Sequence, residues 1–257
     1  MSQEQKNFCF CTLALGKKYR LLTQQLAEDL EKYSPGTYLV IYTDEPQDFS
    51  QTHNTLAFQH QQEGILHCYH DKRLVIAEAF SKFETVIFLD ADTKIVDHIP
   101  DDIQWNPGFN VGYHENLIAH VSKYTPERLI PIRKVASKLN INLETAEFLG
   151  ESLFIVTQDQ GREIEFLQLW DMIGRYLKLN GVHAGQGNTM GLAVAKMGWK
   201  INNDGWQELK KVTQHLDASH ASNQLTSWDK FKKRFGYHYR LNRARFMALK
   251  NFNFYYM

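Results

Sequence analysis

Cysteine is scarce in this chain, which holds Cys9, Cys11 and Cys68 and no others. Their spacing offers no zinc knuckle and no disulfide framework. Cys9 and Cys11 alternate within an apolar run and read as small core residues. Net charge is missing as well: 29 basic and 29 acidic side chains cancel, so nothing calls for nucleic acid as a partner. No stretch approaches the roughly 18 uninterrupted apolar residues of a membrane span. The polar opening Met1-Ser2-Gln3-Glu4-Gln5-Lys6-Asn7 lacks the apolar run of a secretory signal. These absences predict a reducing, cytoplasmic setting. No internal repeat and no Pro/Gly/Ser linker divides residues 1–257, so a single domain is expected.

What is present is an alternation of strand and helix signals. Phe8 to Leu15 is an apolar run closed by Gly16, and a helix follows from Lys17 to Tyr33 with Leu21, Leu22, Leu26 and Leu30 recurring. Ser34-Pro35-Gly36 ends it, and Tyr38 to Tyr42 reads as a buried strand. A Gln-rich stretch to Gln62 carries one short strand signal, Asn54 to Phe58. A helix from Lys72 to Phe83 then delivers the chain to the Val86 strand. This order predicts an α/β fold with a mostly parallel, twisted central sheet covered by helices, Rossmann-like in its first half. Further on, Phe109 to Tyr113, Ser152 to Val156 and Lys200 to Asn202 read as strands, and Arg162 to Leu179 as a helix. Gly181 to Gly191 is glycine-rich, with helix from Leu192 to Met197.

The densest chemical signal is Val86-Ile87-Phe88-Leu89-Asp90-Ala91-Asp92-Thr93. Strand alternation sends Asp90 and Asp92 to one side. Two carboxylates that close repel unless a cation stands between them. Mg2+ or Mn2+ suits such an oxygen site and leaves room for substrate phosphates, which points to a metal-held diphosphate.

Taken together, Thr12-Leu13-Ala14-Leu15-Gly16, Thr43-Asp44, Lys72-Arg73, Phe88-Leu89-Asp90-Ala91-Asp92 and Ala184-Gly185-Gln186-Gly187-Asn188 resemble the nucleotide-sugar glycosyltransferases of the GT-A fold. The likeness is to enzymes of the glycogenin and bacterial galactosyltransferase kind, over residues 8–220. It implies a donor half at 8–110, an acceptor half at 111–220 and a basic aromatic tail at 228–257. It implies a nucleoside-diphosphate sugar as donor, UDP-sugar foremost, and a saccharide, lipid-linked or protein acceptor.

Residue by residue, the resemblance implies that Thr12, Ala14, Leu15 and Gly16 receive base and ribose, with Tyr19 stacking on the base. Asp44 would accept a hydrogen bond from base or ribose. Lys72 or Arg73 would touch the diphosphate or a metal-binding aspartate. Asp92 would bind metal, and Asp90 metal, ribose or both, flanking Ala91. His215, in the strand-like Val212 to Leu216, is the expected third ligand, with His220 the alternative.

Two departures alter the expectation. The family's acids flanking the glutamine are here Gly185 and Gly187, so Gln186 stands alone as sugar-positioning residue. Gly150-Glu151-Ser152 replaces an Asn-containing step, making Glu151 a candidate carboxylate near the reacting carbon. Retention of configuration is the expected outcome. The polar segment Tyr113 to Lys138 reads as an acceptor loop, a lid or a solvated helical excursion.

From Trp228 onward, Lys230, Lys232, Lys233, Arg234, Arg240, Arg243, Arg245 and Lys250 face one acid, Asp229. Such a tail either lies on an anionic membrane surface, placing the protein at the inner membrane face, or packs as a helix on the core. The competing functions are a non-catalytic nucleotide-sugar or partner-binding module and, more remotely, a nucleotidyltransferase. A haloacid-dehalogenase-type phosphatase is disfavoured, because Lys94 occupies the place where that pattern carries Thr or Val.

Overall fold

Every residue of the first strand, β1 (Phe8–Ala14), is buried, as befits the middle of a sheet covered on both faces. The computed structural model describes residues 6–218 and 226–257. After β1 come α1 (Lys17–Tyr33), β2 (Tyr38–Thr43), β3 (Thr55–Gln59), α2 (Lys72–Phe80), β4 (Thr85–Leu89) and β5 (Thr93–Ile95). Next are β6 (Gly108–Asn110), β7 (His114–Asn116), α3 (Leu117–Tyr124), α4 (Leu129–Leu139), β8 (Glu147–Leu149) and β9 (Leu153–Thr157). The chain continues through α5 (Arg162–Leu179), α6 (Gln186–Met197), α7 (Trp206–Val212), β10 (Thr213–His215), α8 (Ser227–Ala248) and α9 (Phe252–Tyr256).

The central sheet has six strands in the order β3-β2-β1-β4-β9-β6. Its first four strands run parallel, whereas β9 is antiparallel to both β4 and β6. The result is the expected α/β architecture, a mostly parallel sheet flanked by helices and compatible with a Rossmann-like fold. Alternation in β1 divides the core into two layers. Cys9, Cys11 and Leu13 pack with Val75 and Ile76 of α2, and with Phe166 and Trp170 of α5. Phe8, Phe10 and Ala14 pack with Leu26 and Leu30 of α1 and Leu209 of α7. Two small antiparallel ribbons, β5 with β10 and β7 with β8, lie outside this sheet.

Several element bounds differ from the sequence expectation. The α2 helix stops at Phe80, and the Ser81, Lys82 and Phe83 amides turn back onto the Glu78 and Ala79 carbonyls. The Phe109 strand closes at Asn110, and the expected Lys200 to Asn202 strand is reduced to one bridge between Asn110 and Asn202. The Tyr113 to Lys138 segment is neither loop nor solvated excursion. It holds β7, α3 and most of α4, whose Leu117, Val121, Ile132 and Val135 are fully buried.

The glycine-rich stretch is helical from Gln186 onward. Gly187 and Gly191 stand one turn apart on the α6 face that meets β8. A Cβ on Gly187 would lie 2.1 Å from the Leu149 carbonyl oxygen, and one on Gly191 would lie 1.7 Å from that of Glu147. These glycines therefore serve close backbone approach of helix to strand, not a loop. No helix among the described residues is long and apolar enough to cross a membrane.

Candidate functional site

The carboxyl ends of β1 and β4 open into a cleft of about 470 Å³. Open α/β sheets bind ligands at this end, where the strand order changes direction. The Asp90-Ala91-Asp92 step is not itself strand. Leu89 ends β4, and a turn closes as the Thr93 amide donates to the Asp90 carbonyl at 3.0 Å. The Asp90 amide donates to the Ser152 carbonyl at 2.9 Å, which anchors the turn to the neighbouring strand. The two carboxylates converge because of this turn rather than through strand alternation.

His215 reaches the same point by sheet register. In the β5–β10 ribbon it pairs with Thr93, the residue after Asp92. The Leu216 amide donates to the Asp92 carbonyl, and the Ala218 amide to Asp92 Oδ2, both at 2.8 Å. His215 Nδ1 stands 3.6 Å from Asp92 Oδ1. Ligand atoms of Asp90, Asp92 and His215 all lie within 4.8 Å of one another. Donors about 2.1 Å from a divalent ion are separated by roughly 3 to 4.2 Å, so small side-chain adjustments close this set on a cation. The imidazole favours Mn2+ over the oxygen-preferring Mg2+. His220 lies outside the described residues.

Lys72, at the first turn of α2, is buried beneath this turn. Its Nζ donates to Asp90 Oδ1 at 2.8 Å and to the Glu151 carbonyl at 2.7 Å, and it sits 4.6 Å above the Phe88 ring. Burial opposes its charge, but the Asp90 and Glu151 carboxylates outweigh that and raise its pKa, so Lys72 is an ammonium. Arg73 does not join it. One residue further round the helix, it pairs with Asp171 at 2.6 Å and donates to the His70 carbonyl at 2.9 Å.

At the other rim, Gly16 takes φ +87° and its amide donates to Asp44 Oδ1 at 3.0 Å. Arg20 holds the same carboxylate at 2.8 Å. Burial alone would raise the Asp44 carboxyl, but Gly16 and Arg20 hold it below the usual carboxylate range. Asp44 thus shapes the rim while Leu15 and Tyr19 line the cleft. The Tyr19 hydroxyl is pushed up by burial and by the charge of Asp92. Thr12 and Ala14 are fully buried on the α1 side of β1, away from the cleft, which Leu13 reaches instead. Thr12 Oγ1 has no hydrogen-bond partner among the described residues.

Glu151 lines the cleft, with Oε2 accepting the Gln186 amide at 2.8 Å. Gln186 itself faces the other way. Its Oε1 accepts from Trp170 Nε1 at 3.1 Å and lies 3.3 Å from His70 Nδ1, inside the core. The expected role of its side chain at the sugar is therefore not met. Its backbone amide, at the amino end of α6, is what the cleft uses.

The segment Gln62 to Tyr69 carries no period and gives no sequence signal of a site beyond its His67 and Tyr69 rings. It contributes Gln62, Leu66, His67, Cys68 and Tyr69 to the cleft wall, with the Tyr69 and His67 rings stacked at 4.9 Å. The detectable signal was a pair of rings just ahead of the basic start of α2. Asp217, three residues from Gln214 in β10, was also missed. Arg128 belongs to the Tyr113 to Lys138 segment. Its Nη1 would lie 2.4 Å from a Cβ placed on Gly185, so it borders the cleft at the α6 end. Neither the models of protein families nor the curated proteins yield a match to this chain.

Proposed function

We propose that this chain is a metal-dependent glycosyltransferase of the GT-A type, moving a sugar from a nucleoside-diphosphate sugar to a hydroxyl acceptor. The observation that carries the reading is the convergence of Asp90, Asp92 and His215 beside the Lys72 ammonium at the cleft mouth. Two carboxylates, an imidazole and a fixed cation suit a diphosphate bridged to a divalent ion better than they suit a neutral ligand. A UDP-sugar is the foremost donor, and a saccharide, lipid-linked or protein hydroxyl the acceptor. Mn2+ or Mg2+ held by Asp90, Asp92 and His215 would neutralise the diphosphate as Lewis acid and template.

The chain's own groups supply the remainder. Tyr19 offers a ring to the base beside the Gly16–Asp44 rim. Lys72 fixes Asp90 and contributes positive potential where the leaving phosphate gathers charge. Glu151, with Oε2 held by the Gln186 amide, keeps Oε1 for the sugar. Its negative charge faces a developing oxocarbenium ion, which fits transfer with retention. A lipid-linked acceptor would suit α8, which leaves Phe231, Phe235 and Tyr239 exposed among its lysines and arginines. The inward turn of Gln186 favours the second reading, a non-catalytic nucleotide-sugar binding module on the same fold.

The test is a thermal-shift screen of UDP-, GDP-, ADP-, CMP- and dTDP-sugars with Mn2+ or chelator, followed by assay of nucleoside diphosphate release. A metal-dependent shift with turnover supports the transferase, and a shift without turnover under any acceptor supports the binding module. No metal-dependent shift with any donor removes both readings.

A further inference from the structure

Arg73 faces a cavity that is separate from the Asp90–Asp92 cleft. This cavity, of about 60 Å³, lies between the start of α2 and the carboxyl halves of α5 and α8. The α5 side presents Asp171, Arg175 and Lys178, one helical stripe at i, i+4 and i+7, and α8 answers with Arg240 and Arg243. Counting Arg73, five cations line the space against two carboxylates, Asp171 and Glu63.

The ion pairs do not use up this charge. Asp171 is shared between Arg73 at 2.6 Å and Arg175 at 2.5 Å, and Glu63 pairs with Arg243 at 2.8 Å. Arg240 donates only to the Ile65 carbonyl, at 3.2 Å. Lys178 is 8% exposed, and no described group hydrogen-bonds its ammonium. Burial, then the neighbouring Arg73, lower its pKa to about 7. The Asp71 and Asp171 carboxylates act on Lys178 but do not offset burial and Arg73. With Asp71 counted, the five cations face three carboxylates, an excess of two positive charges around one small space.

We propose that this cavity is an oxyanion site that takes a phosphate group, either free phosphate or the terminal phosphate of a monoester. The charge excess selects a phosphate, which carries about −1.5 to −2 at neutral pH, over a singly charged carboxylate. The volume admits one tetrahedral oxyanion, since it equals that of roughly two waters. Arg240, engaged only through Nε, offers its terminal nitrogens to such an anion, while Arg73 and Arg175, held on Asp171, and Lys178 add positive charge at the wall. The site stands independently of the transferase reading. The bound phosphate can belong to a soluble molecule or to a lipid headgroup, because α8 also exposes Phe235 and Tyr239.

The experiment is titration of the full chain with inorganic phosphate in EDTA, followed by thermal shift and by 31P line broadening. Potassium chloride at matched ionic strength is the control, and EDTA keeps a metal-assembled diphosphate site from contributing. The expected result is a saturable rise in Tm with phosphate, with apparent affinity falling at least about tenfold in both Lys178→Met and Arg240→Gln. Equal rises with chloride, or an unchanged phosphate response in these variants, would overturn the site. Arg240→Gln removes only a bond to a carbonyl from a half-exposed helix, so it remains usable should Lys178→Met not fold. Sedimentation with phosphatidylcholine vesicles containing phosphatidic acid separates the sources. Vesicle binding that is lost in Arg240→Gln and competed by phosphate assigns a lipid headgroup, and a phosphate response without vesicle binding assigns a soluble ligand.

Discussion

Lys72 Nζ stands 2.8 Å from Asp90 Oδ1, so one carboxylate of the Asp90–Asp92 pair has a fixed cationic partner. The same ammonium reaches the Glu151 carbonyl, joining the end of β4 to the start of β9. The Lys72 ammonium offsets part of the repulsion between Asp90 and Asp92.

Replacing Lys72 should separate two affinities. In Lys72→Met, Mn2+ alone binds more tightly because a competing positive charge has gone, while nucleoside diphosphate binds at least about tenfold more weakly. Stability falls by roughly 1 to 3 kcal/mol, since Asp90 and the Glu151 carbonyl lose a buried donor. Mn2+ titration by electron paramagnetic resonance and urea unfolding read the two effects. Weakening of both ligands together would place Lys72 among the groups that merely hold the fold.

The three expected ligands should not contribute equally. Asp92→Asn keeps an oxygen for the Ala218 amide, so the fold persists while metal-dependent donor binding disappears. His215 is 38% exposed at its side chain, and His215→Ala should weaken Mn2+ by about ten- to a hundredfold with little change in Tm. Mn2+ titrations of the two variants, run beside their melting curves, check both statements. A large loss of stability in either would mean that it acts on structure rather than on metal.

The first half of the fold was legible because its signals are local. The α1 bounds, Lys17 and Tyr33, follow from a left-handed glycine at one end and Ser34-Pro35-Gly36 at the other. The Asp90–Asp92 pair was legible from adjacency, and His215 from its strand-like setting, although the register that brings it to Thr93 is not written in either segment alone. Lys72 and Arg73 were indistinguishable in sequence, because one step of helix rotation sends them to different cavities. Gln186 and Thr12 were misplaced for a related reason. Each sits beside the cleft in backbone but turns its side chain into the core, Gln186 towards Trp170 and Thr12 towards the α1 layer. The helix start expected at Leu192, after the glycine-rich Gly181 to Gly191, falls at Gln186 because close packing against β8, a long-range contact, is what Gly187 and Gly191 serve.

That packing has a measurable cost. In Gly191→Ala the new Cβ meets the Glu147 carbonyl oxygen at 1.7 Å, and backbone cannot rotate away as a side chain would. The helix and β8 must separate, costing about 3 kcal/mol or more. Gly198→Ala is the contrast: φ is +66° but nothing lies within 4 Å, so only the left-handed strain of about 1 kcal/mol applies. Urea unfolding of both variants should rank them in that order, and comparable losses would mean that α6 can shift freely on β8.

Lys178 predicts an unusual pH dependence in phosphate-free buffer. Its ordinary pKa of 10.5 applies in the unfolded chain, and burial followed by Arg73 lowers it to about 7 in the folded one. Between those values the unfolded chain binds a proton that the folded chain lacks, so stability rises with pH. Below about pH 7 both states are protonated and the burial penalty is fully present; above the ordinary value it is gone. The charges facing Lys178 are Asp171 and Arg175 on α5, Arg73 on α2, Asp71 and Glu63 ahead of α2, and Arg240 and Arg243 on α8. The useful window runs from about pH 7.5, above the range where buried His70 titrates, to about pH 9.5, below the tyrosines. Burial raises Tyr42 and Tyr255 to about 12, so they act in the opposite sense only at higher pH. Across this window urea unfolding should give a slope of roughly 1 kcal/mol per pH unit, absent in Lys178→Met. A wild-type slope that survives in that variant would assign the proton to another group.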